Sequence, residues 1–156
     1  MNAETIIALI AMYGYMLLFT AILLDAAGLP LAGEAVLVLT GMLSRGGGLD
    51  LPLVIAVGVA AAVLGHSVGY GLGRFAAGRL LRRARLAPGS LAIVFGRFLV
   101  GARVAIPPLS GHARTPYPRF VALDGLGAVL WVGALVLAGY AGGPGLSSLR
   151  ALLGLA

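Results

Sequence analysis

Long apolar runs, broken by glycine, proline and isolated charges, fill the chain from end to end. Residues 6–24 are nineteen positions without a charge. As a helix they measure about 28 Å, enough to cross a hydrocarbon core. Residues 51–73 form a second uncharged run with His66 at its centre, and residues 125–149 a third, which Gly142-Gly143-Pro144 ends near Ala141. Three full transmembrane helices are predicted. The lead-in to the first carries Glu4 and neither arginine nor lysine, and Asp25 follows where a cleavage site would stand, so it reads as a retained helix and not a signal peptide.

Two stretches fit neither span nor loop. Residues 28–45 are apolar but contain Pro30, Gly33 and Glu34, and their unbroken run 35–43 is nine residues, about 14 Å or half a bilayer. Residues 90–113 hold Gly96, Arg97, Gly101, Arg103, Pro107, Pro108 and Gly111. Broken backbone at membrane depth is tolerated only where protein shields it or it lines a wet cavity. Both stretches are predicted to be re-entrant helical hairpins. Hairpin and span then recur in the same order, entering from opposite sides, which makes an inverted repeat of the transporter kind. Asp124-Gly125-Leu126-Gly127 echoes His66-Ser67-Val68-Gly69 in the matching position. The expected fold is one all-α integral membrane domain over residues 1–156.

Composition narrows the class. The chain is 60% hydrophobic and 10% charged, against roughly 25% charged in soluble domains. It has no cysteine, which excludes disulfides and thiolate metal sites. All eleven basic residues are arginine, and the net charge is +6. Placed between apolar runs, that excess points to anionic lipid, not nucleic acid. Arg79, Arg82, Arg83, Arg85, Arg114 and Arg119 fall on one side of the expected topology, and Arg45, Asp50 and Arg150 on the other. The positive-inside rule puts the arginine-rich side in the cytoplasm of a prokaryotic cell. As a solvated loop, Arg79–Arg85 needs no role beyond anchoring.

Four ionisable residues lie in or beside apolar sequence: Asp25, Glu34, Arg97 and Arg103. Each costs about 2.5–3.5 kcal/mol at a helix centre if unpaired. The acids are nine residues apart and the arginines six, so neither pair shares a face of a continuous helix. Breaks at Gly28, Pro30 and Gly33, and at Gly101, lie where convergence requires them. Two guanidiniums in a wet cavity suit a phosphate, and two carboxylates suit proton coupling. Structural ion pairs are the plainer reading. His66 can titrate near neutrality, although a lone histidine on an apolar span is commonly a packing residue. Gly65, Gly69 and Gly73 make small-xxx-small steps for close helix approach, and Trp131, Tyr117 and Tyr140 read as packing or interface residues.

The run Phe95-Gly96-Arg97-Phe98-Leu99-Val100-Gly101-Ala102-Arg103, followed by Pro107, Gly111, Pro116-Tyr117, Phe120, Gly127 and Trp131, resembles the signature of the DedA family, also called the VTT or SNARE-associated Golgi protein domain. Gly28-Leu29-Pro30, Gly33-Glu34, Gly41 and Gly65–Arg74 extend the likeness over residues 20–142. The resemblance implies two opposed re-entrant hairpins and translocation of a lipid phosphate, undecaprenyl phosphate or a phospholipid, between leaflets. It maps the substrate-binding set onto Arg97, Arg103, Glu34 and Asp25; the candidates for proton coupling are Glu34, Asp25, His66 and Asp124. The chain departs from the family in carrying His66 where Asp is usual and Asp124 where Asn is common; many members also run longer at the C-terminus.

The expected function is therefore a flippase for an anionic lipid phosphate, coupled to protons, with a proton-coupled carrier of a small solute or ion as the alternative. Asp124-Gly125-Leu126-Gly127-Ala128 lacks the further aspartates and arginine of a phosphotransferase motif, and no catalytic or metal-binding set is apparent, so no enzyme activity, cofactor or metal is expected. The expected partners are a lipid with a phosphate headgroup and the bilayer, not nucleic acid; a homodimer is left open.

Overall fold

The computed structural model describes residues 3–29, 31–75 and 87–142. Among them every regular element is helical: α1 (Ala3–Ala26), α2 (Gly33–Arg45), α3 (Leu51–Phe75), α4 (Ser90–Phe95), a 3₁₀ turn (Gly96–Phe98), α5 (Val100–His112) and α6 (Tyr117–Gly142). Pro30, the arginines at 79, 82, 83 and 85, and Arg150 lie outside the described residues. Local chemistry sets the helix starts. Asp50 accepts a hydrogen bond from the Leu53 N–H at 3.0 Å and caps α3. Pro52 and Pro118 sit in first turns, where a missing N–H costs nothing.

The helices are inside-out relative to a soluble bundle. On α3 the buried positions include Ala61, Ala62, Gly65, His66 and Gly73, whereas Leu64, Val68, Leu72 and Phe75 are exposed. From Ala61 onward the buried face of α3 is mostly small or polar, apart from Tyr70, while large apolar side chains point outward, the pattern expected when the surroundings are lipid. α3 and α6 are long and apolar enough to cross a membrane. The core joins Leu18, Ile22, Leu37, Val54, Val132 and Val136. Glycine lets backbones touch there: a Cβ at Gly41 would fall on the Val136 carbonyl, and one at Gly139 on the Val38 carbonyl. α2 thus lies against α6, while α5 lies against α3 through Gly73 on Pro108 and Gly111 on Tyr70.

Contacts between helices fix their levels. The Tyr15 hydroxyl accepts from the Asp50 N–H at the start of α3, 2.8 Å away. Gly65 meets Leu23 and Ala26 at the end of α1. The described side chains of α1 therefore run beside the first half of α3 and stop near its middle. α2 returns from that level: Gly33 packs on Asp25, and Arg45 donates to the Tyr140 and Ala141 carbonyls at the end of α6. From the opposite end, Ser90 receives a hydrogen bond from Arg119 in the first turns of α6. α4 climbs from there, the chain turns through Leu99 (φ −107°, ψ 116°), and α5 runs back to Tyr70 near the end of α3.

The expected helix 6–24 lies within α1, which ends at Ala26, level with the middle of α3. Two boundaries differ from the sequence expectation. The expected hairpin 28–45 is a turn followed by one continuous helix, α2. The third span begins at Tyr117, eight residues before Gly125, because Arg119 and Asp124 are accommodated within the helix. Arg119 reaches Ser90, and Asp124 is neutralised internally.

Candidate functional site

The breaks place charge at the middle of the molecule. Where α1 ends and α2 begins, Asp25 and Glu34 converge on one guanidinium from α5. Arg103 Nη1 lies 3.3 Å from Asp25 Oδ2 and 3.2 Å from Glu34 Oε1. Asp25 is buried, whereas the Glu34 side chain is 54% exposed, so this group opens to the molecular surface. Gly28, at φ +107°, makes the sharp turn between the acids, and a Cβ there would touch Val104, one residue beyond Arg103.

Arg97, from the 3₁₀ turn, goes elsewhere. Its Nη2 donates to Asp124 Oδ1 on α6 at 2.8 Å, and His66 Nδ1 on α3 lies 2.6 Å from the same oxygen. Arg97 Nη2 is also 2.9 Å from His66 Nδ1. Guanidinium can only donate and carboxylate only accept, so the consistent assignment puts a proton on Nδ1 and makes Asp124 Oδ1 the shared acceptor. All three side chains are buried. The expected quartet therefore divides: Asp25, Glu34 and Arg103 form one group, and Arg97, Asp124 and His66 the other.

Trp131 stands between the two groups. The Arg97 guanidinium carbon is 5.9 Å from its ring centroid and that of Arg103 5.5 Å, within range of cation–π attraction. Sequence spacing treated Trp131 as packing, and nothing in the pattern tied it to either arginine. Several buried polar atoms are without a hydrogen-bond partner among the described residues: His66 Nε2, Asp124 Oδ2, Arg97 Nε, Arg103 Nε and Ser110 Oγ. This centre thus has capacity for further hydrogen bonds to water, protons or a polar substrate. No three His, Asp or Glu side chains among the described residues group as a metal site would require.

Inside-out helices around a buried polar centre define a membrane protein. The comparisons agree. The chain is 34% identical to the uncharacterized membrane protein slr0232 of Synechocystis, over 89% of this chain and 72% of that protein. It is 32% identical to the inner membrane protein YohD of Escherichia coli, over 86% of this chain and 73% of the relative, and 31% identical to inner membrane protein YghB, over 81% and 67%. It belongs to the family of membrane proteins that contains slr0232 and YohD. No family model matches the chain, and no solved structure matches it.

Proposed function

We propose that this protein is a DedA-type lipid translocase that moves an anionic lipid phosphate, undecaprenyl phosphate or a phospholipid, between leaflets with proton uptake. In this reading the bilayer is crossed fully by α3 and α6. α1, which ends level with the middle of α3, and the helix α2 form one hairpin that turns at half depth, and α4 and α5 form another from the opposite face. In each hairpin the second arm packs on the span that follows the other hairpin (α2 on α6, α5 on α3) and the first arm on the span that follows its own (α1 on α3, α4 on α6), as expected of an inverted repeat. The arginine-rich face is cytoplasmic.

The observation that carries the proposal is the meeting of the two tips at Arg103, which is held by Asp25 and Glu34 with Glu34 exposed. A guanidinium there can exchange carboxylate for phosphate through the same bidentate geometry. Charge explains the proton. Two guanidiniums face three carboxylates, leaving one negative charge with His66 neutral and none with it protonated. A phosphate entering such a centre is repelled unless protons enter with it. Protonation of Glu34 or Asp25 would free Arg103 for the headgroup. Exposure of Glu34 on the apolar outer surface favours a lipid, whose tail stays in the bilayer, over a solute walled off from it.

In proteoliposomes, labelled polyprenyl phosphate should change leaflet with the wild type, and Arg103→Ala should abolish the movement while the thermal unfolding of the protein is retained. Equal rates for the two proteins would defeat the proposal. Uptake of a water-soluble anion without lipid movement would instead favour the proton-coupled solute carrier.

A further inference from the structure

A second basic centre lies at the other end of α3. A cavity of about 580 Å³ opens between the last turns of α3 and the turn joining α5 to α6. Arg74 and Arg114 line it together with Tyr70, Phe75, Thr115 and Tyr117. Arg74 is eight residues beyond His66, about 12 Å farther along the helix, so the arginine end of the cavity is set apart from the buried charges, while its inner end reaches Ser67 beside His66. Its walls are fixed. The Tyr70 hydroxyl donates to the Thr115 carbonyl at 2.5 Å, Tyr117 donates to Ser67 Oγ at 3.1 Å, and the two tyrosine rings are 5.4 Å apart.

The charge here is unbalanced. Among the described residues no carboxylate lies within salt-bridge distance of Arg74 or Arg114: Asp25, Glu34 and Asp124 belong to the buried centre, and Asp50 caps the opposite end of α3. Arg114 also lines a neighbouring cavity of about 280 Å³ that contains Arg119 and Ser90. Three guanidiniums thus surround the α5–α6 turn. Arg114 holds the left-handed φ of 56°, a conformation that favours glycine, and its N–H closes α5 by bonding to the Gly111 carbonyl at 3.1 Å.

The apolar side of the cavity leads outward. Phe75 is 86% exposed, and it continues the exposed stripe Leu64, Val68 and Leu72 along α3. A phosphate on the arginines would leave a hydrocarbon tail free to lie on that stripe.

We infer that this cavity is a docking site for the phosphate headgroup of an anionic lipid in the arginine-rich leaflet, with Arg74 and Arg114 binding the phosphate and Phe75 contacting the acyl chain. The site stands apart from the translocation reading, because headgroup binding at the face does not require movement between leaflets.

The test is native mass spectrometry of the protein in detergent, with phosphatidic acid and phosphatidylcholine of the same chains as probes. The wild type should retain phosphatidic acid preferentially. Arg74→Gln with Arg114→Gln should lower that retention on the order of tenfold, while Arg45→Gln, at the opposite end of the molecule where Arg45 bonds the Tyr140 and Ala141 carbonyls, leaves it unchanged. Arg114→Gly provides a second variant: it removes the guanidinium and the left-handed strain together, so retention falls while thermal stability does not. Retention unchanged in both variants overturns the site. An equal loss of retention in Arg45→Gln would make the binding a general attraction to arginine and likewise overturns it. Displacement of phosphatidic acid by millimolar inorganic phosphate, with no effect of Phe75→Ala, overturns the lipid assignment in favour of free phosphate.

Discussion

Asp124 meets both Arg97 and His66 through a single oxygen, in surroundings almost closed to solvent. Removing one member of such a group costs far more than removing the group, because the survivor is left charged and undersolvated. Asp124→Asn keeps the volume but strips Arg97 of its counter-ion; a loss of about 3–5 kcal/mol is expected, read as a drop in thermal unfolding temperature in detergent. Arg97→Met with Asp124→Leu should recover most of that loss, since neither charge then remains buried. If the single and double variants are equally destabilised, Arg97 does not depend on Asp124. Arg103 differs. Its partner Glu34 is exposed, so Glu34→Gln should alter stability little and change transport much more.

Close backbone approach governs the helices. Gly139 sits on the Val38 carbonyl and Gly41 on that of Val136. Neither partner is a flexible side chain, so Gly139→Leu cannot be absorbed by rotamer change. It should cost more than about 3 kcal/mol, the upper range for ordinary overpacking, whereas Gly133→Leu, which has open space, should be tolerated in the same unfolding assay. The break at Gly28 was legible because acids nine residues apart cannot converge on an unbroken helix; the break between the arginines falls at Leu99, and Gly101, where the sequence put it, lies inside α5. Asp124 was legible as a titratable group in an apolar run, but its partner was not, since Arg97 reaches it through the fold and not along a helix. The level at which α1 ends was hidden for a related reason: apolar length says that residues 6–24 could span a bilayer, and only Gly65 against Ala26 says where that helix stops.

At the scale of the molecule, the two halves exchange partners: α2 lies on α6, and α5 on α3. α2 and α5 therefore bury their inner faces against the other half, while α1 and α4 stay on α3 and α6 of their own, and the charged residues at the breaks are brought together by the same exchange. The arrangement requires that both ends of the α4–α5 segment emerge on one face. Gly89 and Ala113 indeed line one cavity, at the end of the molecule where Arg119 bonds Ser90. Gly48 lies between α2 and α3, at the end marked by Asp50 and Arg45. The chain has no cysteine, so single substitutions report one position each. In intact spheroplasts a membrane-impermeant maleimide should label Gly48→Cys. Gly89→Cys and Ala113→Cys should react only after permeabilisation, both on the arginine-rich face. Labelling of Gly89→Cys and Ala113→Cys from opposite sides would mean that residues 90–112 cross the bilayer, and the meeting of two half-depth tips at Arg103 would have to be abandoned with it.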